Sequence, residues 1–256
     1  MTTLFRACCA HYIDRMKEAS SFGTAASAYA EHRPDYAQAA VRWALDPAPG
    51  PRVLDLGAGT GKLSATLITL GAEVTAVEPD PAMLSELRRT VPAVQARSGN
   101  AEAIPLPDAS VDAVVAGNAM HWFDMTVAGP EIARVLTPGG VLAGLWNVLD
   151  DSVDWVAGLA RVAGSAVIGP RDTPAAWRAA TSGLPGQPAE FPHVQTRTAD
   201  SLVATLATRA GLLVMPERER EATLDRIRAY LAARPETADG EFPLPMLTCV
   251  RRSRPA

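Results

Sequence analysis

The run Asp55-Leu56-Gly57-Ala58-Gly59-Thr60-Gly61 sets one carboxylate and three alternate glycines within seven residues. An apolar stretch, Val53-Leu54, leads into it, and a helical pattern follows from Lys62. Gly57 and Gly59 lack a Cβ, so the backbone can turn sharply and a ligand can come close to it. Gly61 opens the next helix, where N–H groups without intrahelical partners can meet a carboxylate. Asp55, at the strand end, suits an ammonium group, directly or through a water. These types at this spacing describe a seat for a zwitterionic amino-acid moiety. The plain alternative is a tight strand-to-helix turn that holds no ligand.

The spacing argues against a dinucleotide. The G-x-G-x-x-G fingerprint needs its third glycine one place later, where this chain has Lys62. S-adenosylmethionine (SAM) fits better, because its nearest part is an amino acid and its sulfonium is cationic.

Elements of alternating type must hold this loop in place. Strand patterns are read at Arg52–Leu56, Glu73–Val77, Ala93–Ala96, Val111–Ala116 and Val141–Trp146, with helices between them at Gly61–Leu70, from Pro81, and at about Pro130–Leu136. Asp80 and Pro81 make an N-cap and first helical residue. Alternating βα units imply a parallel, doubly wound sheet whose ligands lie beyond the carboxyl ends of the strands. Asp55, Glu78, Asn100, Asn118 and Asn147 fall on that edge. Ahead of the sheet, Ser21–Leu45 is helical in pattern and broken at Pro34. Behind it, Ser152–Ile168 reads as a helix, Gly169–Pro192 as loop or lid, and Ala189–Thr196 as a short strand. Helices at Asp200–Arg209 and Pro216–Arg234 and a strand at Leu244–Arg251 close the chain. The division expected is a loose arm over 1–19, a helical lid over 20–50, a SAM-binding core over 51–149, a cap over 150–192, and the rest of the core over 193–256.

Composition limits the partners. The chain has 256 residues, 48% hydrophobic and 20% charged, with a net charge of −4. This is ordinary for a soluble protein and gives no basic surface for nucleic acid or anionic membrane. No apolar run reaches the roughly 18 residues of a spanning helix. Three cysteines, Cys8, Cys9 and Cys249, form neither a disulfide framework nor a zinc set. A cytoplasmic protein with reduced thiols, without bound metal, and monomeric or homodimeric is expected. The residues before Ser20 do not pattern as a signal peptide, and Met1 and Met16 both stand as possible starts.

The chain resembles class I SAM-dependent methyltransferases of the type-11 group. Four motifs carry this: the glycine loop; Val77-Glu78-Pro79 with Met83 downstream; Gly99-Asn100-Ala101-Glu102 running to Asp112; and Arg134-Val135-Leu136-Thr137-Pro138-Gly139-Gly140. The opening Phe22…Tyr29…Arg33-Pro34-Asp35-Tyr36 is similar to the bacterial branch that includes trans-aconitate methyltransferase-like proteins. The resemblance implies a seven-stranded Rossmann-like sheet with its last strand antiparallel, and SAM as methyl donor. It implies that Glu78 accepts the ribose hydroxyls and that Met83 lies under the adenine, or is simply core. Asn100, Ala101 and Glu102 would meet the adenine edge, or make an ordinary turn. A carbonyl at Asn118 or Ala119 would meet the ammonium. His121 would act as base or merely hold its loop, with Trp122 as a pocket wall. Tyr29 and Arg33 would cover SAM, Arg33 binding a carboxylate or stapling two helices. Tyr36, Trp122 and Trp146 would face the acceptor.

The activity implied is methyl transfer to a small molecule, at a carboxylate or hydroxyl oxygen. Such a displacement needs alignment and exclusion of water more than a nucleophilic side chain. Two rivals remain at this stage: a SAM-binding protein without turnover, and a different Rossmann-like enzyme using a nucleotide.

Overall fold

A computed structural model describes residues 30–165, 167–168, 173–181 and 186–255. Within them, seven strands form one sheet: β1 Arg52–Leu56, β2 Glu73–Glu78, β3 Gln95–Ser98, β4 Val111–Gly117, β5 Leu136–Leu149, β6 Gln187–Arg197 and β7 Phe242–Ser253. Their order is β3-β2-β1-β4-β5-β7-β6. The pairs among β1 to β5 are parallel. β7 runs antiparallel to both β5 and β6, so six strands share one direction and the last in sequence opposes them. This is the Rossmann-like sheet expected, with its order reversing at β1 and β4.

The helices are α1 Gln38–Leu45, α2 Lys62–Thr69, α3 Pro81–Thr90, α4 Met125–Val135, α5 Asp154–Ala163, α6 Pro174–Thr181, α7 Ala199–Ala207, α8 Ala210–Leu213 and α9 Glu217–Ala232. Strand alternation divides the sheet's two faces. Val53, Ala113, Val115, Ala143 and Leu145 pack with Ala40, Val41 and Ala44 of α1 and Leu63 and Leu67 of α2. Leu54, Leu56 and Val114 pack with Ala128, Ile132 and Val135 of α4 on the other side. A further core lies in the C-terminal part. There Trp155, Val156 and Leu159 of α5 meet Leu202 and Leu206 of α7, Ile227 and Leu231 of α9, and Phe242 and Leu244 of β7.

Three elements differ from their sequence patterns. The helix before β5 starts at Met125, not near Pro130, because Asp124 caps it through a bond from the Thr126 amide at 3.0 Å. Pro130 lies inside it on an exposed face, where the lost N–H costs least. Thr137-Pro138-Gly139-Gly140, ahead of the strand read from Val141, already belongs to β5. Leu136 already pairs with Val111, and the four residues form an irregular start to β5 before the ladder resumes at Val141. Finally, the stretch read as loop or lid over 169–192 holds α6 and the first half of β6. The short strand read at Ala189–Thr196 is thus longer by two residues at its start and one at its end, and it contains Pro188 and Pro192. They fall four apart on one side of its backbone, and an edge strand can leave that side unbonded.

Residues 34–37 have no regular secondary structure ahead of α1. They are fastened to the sheet by a buried polar pair. Asn147 of β5 donates from Nδ2 to the carbonyls of Pro34 (3.3 Å) and Asp35 (3.0 Å). Thr248 of β7 donates to Asn147 Oδ1 at 2.7 Å and accepts from the Ala37 amide at 3.0 Å. No helix among the described residues is long and apolar enough to cross a membrane.

Candidate active site

β1 delivers its carboxyl end into a loop hung from β2. The amides of Gly57 and Ala58 both donate to the Val77 carbonyl, at 2.9 and 3.1 Å. Gly57, Gly59 and Gly61 all have positive φ, at 70°, 56° and 89°. Their missing side chains serve different ends. A Cβ on Gly57 would lie 2.8 Å from the Cβ of Ala119, and one on Gly61 would lie 3.0 Å from Val91 Cγ2 of the segment after α3. Gly57 therefore lets the β4 loop press onto the glycine loop, and Gly61 lets α2 start against its neighbour. At Gly59 a Cβ would meet nothing within 4 Å. Gly59 is the glycine of the three whose missing side chain leaves open space.

Two acids stand behind this opening. Glu78 ends β2, and its Oε2 accepts from the Gly59 amide at 2.8 Å while Oε1 accepts from the Asp80 amide at 2.9 Å. Burial raises its pKa, and those two amides pull it back. Each oxygen keeps a further lone pair for a hydroxyl donor. Asp55 is fully buried. Its Oδ2 accepts from the Ser64 hydroxyl at 2.6 Å, and its Oδ1 has no hydrogen-bond partner. Burial pushes its pKa up to about 7; the Ser64 hydroxyl opposes the rise and the Glu78 charge adds to it.

These features fit SAM. The space at Gly59 is a cradle that a side chain would fill, the Glu78 carboxylate borders it, and the unpartnered Asp55 oxygen wants a donor or a cation. First-turn amides of α2 have no intrahelical acceptors and suit the methionine carboxylate. When bound there, SAM supplies a methyl group carried on a good leaving group, and the protein's part is to align and enclose it.

The opposite wall comes from β4. Gly117 is followed by Asn118 at φ 50°, a left-handed conformation that asparagine tolerates better than most. The Asn118 amide donates to the Leu145 carbonyl at 2.7 Å. Ala119 packs on Gly57, and Met120–Trp122 form a short 3-10 turn. The His121 and Trp122 rings lie 4.7 Å apart at 43°. Tyr36 is buried, and a Cβ on Gly117 would lie 2.5 Å from its hydroxyl. The tyrosine thus covers the end of β4.

The remaining sequence candidates fall in varied places. Ala101 is buried in the α4-side core, while Asn100 is exposed and bridges to Ala103. Glu102 accepts from the Asp124 amide at 2.9 Å, tying this loop to the start of α4. Met83 is buried on α3 and Pro79 is exposed. Tyr29 lies outside the described residues. Trp146 is 2% exposed and packs with Met120, Val148, Leu247 and Cys249 beneath the β4 loop, so its ring is core and not pocket rim. Arg33 takes the stapling role. Its Nε donates to Thr208 Oγ1 at 3.0 Å and its Nη2 to the Thr208 carbonyl at 3.1 Å. Arg134 of the fourth motif clamps the third. It binds Glu131 and Asp108 at 2.8 Å and donates to the carbonyls of Leu106 and Ile104. Ser64 and Phe123, which touch Asp55 and the Gly57 position, had no local sequence signal.

Known proteins show the family and the fold. Residues 54–144 match the family described as a methyltransferase domain. An uncharacterized methyltransferase of Mycobacterium tuberculosis is 42% identical over 236 residues, covering 90% of this chain and 94% of that protein. The malonyl-[acyl-carrier protein] O-methyltransferase of Enterobacter lignolyticus is 37% identical over 134 residues, 51% of this chain and 53% of that one. A solved structure of a type II methyltransferase from Anaeromyxobacter dehalogenans superposes with a TM-score of 0.64 at 28% identity, covering 87% of this chain and 97% of that one. With a Gly59 cradle, the Glu78 carboxylate and this sheet order in place, the chain belongs to the class I SAM-dependent methyltransferases.

Proposed function

We propose that the enzyme methylates an oxygen of a small molecule, a carboxylate or a hydroxyl, entering between the N-terminal segment and the C-terminal half. The observation that carries this is the contact of Ala119 with the Gly57 position. It brings the loop bearing His121 and Trp122 against the loop that receives SAM. An aromatic wall with one titratable group suits a compact, partly apolar acceptor. The name of the Enterobacter relative states O-methylation, which supports oxygen as the acceptor atom. The resemblance of Arg33-Pro34-Asp35-Tyr36 to the trans-aconitate branch supports a carboxylic acid.

The residues would divide the work simply. Gly59, Glu78 and the start of α2 orient SAM. Tyr36 and the residues ahead of it exclude water. With a carboxylate acceptor no base is needed. With a hydroxyl acceptor, His121 takes the proton, and neutral imidazole is the form that does so.

The test is a panel of small acids, phenols and alcohols with labelled SAM, read as S-adenosylhomocysteine (SAH) formation. Turnover with members of the panel is expected. Methylation of protein or nucleic acid alone, or SAM binding without turnover, would overturn the proposal. His121→Ala then separates the two oxygens: a hydroxyl acceptor loses about 10²–10⁴-fold in kcat, a carboxylate little.

A further inference from the structure

A cavity of about 430 Å³ opens beside the SAM loop between the N-terminal segment and β6. Glu31, Arg33, Asp35 and Lys62 line one side, and His193 and Arg197 the other. Its position bears on catalysis. β6 runs parallel to β5, so its C-terminal half lies on the same sheet edge as Asp55 and Glu78. Lys62 directly follows Gly61 and binds Asp35 at 3.3 Å, so one wall is continuous with the glycine loop.

The two β6 side chains are under-used. His193, Gln195 and Arg197 alternate with exposed residues and so share one half-buried face. Arg197 Nη2 donates to the His32 carbonyl at 2.9 Å and to Gln195 Oε1 at 2.7 Å, both neutral acceptors. Its Nε is buried without a hydrogen-bond partner, and among the described residues no carboxylate lies within ion-pair distance of it. Neither ring nitrogen of His193 makes a well-aligned hydrogen bond, although the backbone of Phe191 and of Asp35 lies near enough to oppose the effect of burial. Burial lowers the pKa of both groups. The charge of Asp35 reaches Arg197 across the cavity but is paired with Lys62, and a half-buried guanidinium with no carboxylate in hydrogen-bond contact favours an arriving anion. The lining carries three cationic side chains against two anionic ones, in a chain whose net charge is −4.

We propose that this cavity is the acceptor's anchoring subsite, in which Arg197, assisted by His193, binds a carboxylate of the small molecule that is methylated. The proposal rests on the small-molecule reading above. A guanidinium matches a carboxylate, and the Nε–H and the Nη1 hydrogens of Arg197 are the donors not committed to His32 and Gln195. The held carboxylate is not the atom that reacts. It fixes which acids are accepted and how they face the SAM site. The competing source of the same chemistry is the carboxylate of SAM itself.

Calorimetric titration of the full chain, with SAH saturating, distinguishes these sources. The probes are succinate, its uncharged diamide succinamide, and sulfate. Succinate is expected to bind, and succinamide and sulfate at least tenfold more weakly. Arg197→Gln should weaken succinate by about 10- to 100-fold, the worth of a charged hydrogen bond, and leave the SAH Kd within about twofold. Arg197→Lys should fall between, since charge remains and the fork is lost. Because Arg197 also holds the His32 carbonyl, His193→Gln gives a second variant free of that tie, expected to weaken succinate several-fold. The proposal is overturned if wild type does not bind succinate, if sulfate binds equally well, or if Arg197→Gln weakens SAH and spares succinate. Binding is read without turnover. Succinate binding in a protein that methylates no small molecule would therefore fail the activity reading alone.

Discussion

The two halves of the sheet are held together by different kinds of contact. From β1 to β4, the SAM half, site residues are fixed by neighbours close in the chain. Gly57 and Ala58 hang on Val77, Gly59 binds Glu78, and Asp55 binds Ser64. From β5 onward, contacts cross the whole chain. Asn147 reaches Pro34 and Asp35, Thr248 reaches Ala37, Arg197 and Thr205 reach the His32 carbonyl, and Arg33 reaches Thr208. That half also has its own helical core around Leu159, Leu206 and Ile227. A SAM seat can be built from one βαβ unit. The wall opposite it needs the two ends of the chain to meet. It follows that the two halves should fail separately under mutation.

The sharpest break is at Gly59. Gly59→Leu should abolish measurable SAM binding by calorimetry, because the new side chain enters the open cradle. The left-handed conformation should cost about 1–2 kcal/mol of stability. Gly71→Leu, at φ 86° and also with nothing within 4 Å, should cost similar stability and leave SAM binding intact. Equal loss of SAM binding in both would erase the claimed distinction.

Glu78→Gln keeps the side chain's shape and removes its charge. SAM affinity should fall by about 1.5–3 kcal/mol, read as the shift in Kd. Unchanged affinity would show that the carboxylate merely braces the loop.

Thr248→Val and Asn147→Ala address the other half. Each leaves buried groups unpaired and should cost about 1–3 kcal/mol in denaturant unfolding. Hydrogen exchange across residues 34–45 should quicken, and acceptor KM should rise more than the SAM Kd. A larger effect on SAM than on the acceptor would dissolve the division between halves.

Asp55→Asn should show a pH signature. A carboxyl raised to about 7 holds its proton in the folded protein while the unfolded chain has already lost it, so wild-type stability falls as pH rises from about 4 to 7. The variant lacks this titration. Its Tm relative to wild type, without ligand, should therefore improve from pH 5 to pH 8. A constant difference would mean that Asp55 is ionised throughout.

The smallest effect is expected at Arg33. Arg33→Ala should cost about 0.5–1.5 kcal/mol of stability through loss of its Thr208 bonds, with acceptor KM little changed. A large rise in KM would return Arg33 to a substrate-binding role.

Much was legible in the order of residues alone. Alternating apolar runs and helical patterns gave the sheet class, because burial on both faces imposes apolar strands whatever surrounds them. The glycine spacing and the acid closing β2 pointed to SAM, because a short backbone cradle is a local object. The edge strand β6 was read from Ala189, with only its start obscured by Pro188, and the true start of α4 was obscured by Pro130. Local propensity is overruled where an exposed position removes the cost of a missing N–H. Which glycine faces open space, which tryptophan is core and which arginine is a staple were decided only by packing. Gly57 and Gly59 are indistinguishable as letters, yet one meets Ala119 and the other meets nothing. Arg33 stood out in the sequence and Arg197 did not, yet Arg33 is taken up by Thr208 and Arg197 has a buried Nε without a partner. Local conformation follows from neighbours in the chain. In the C-terminal half the partners of a side chain come from residues a hundred or more positions away, and only the folded chain brings those to it.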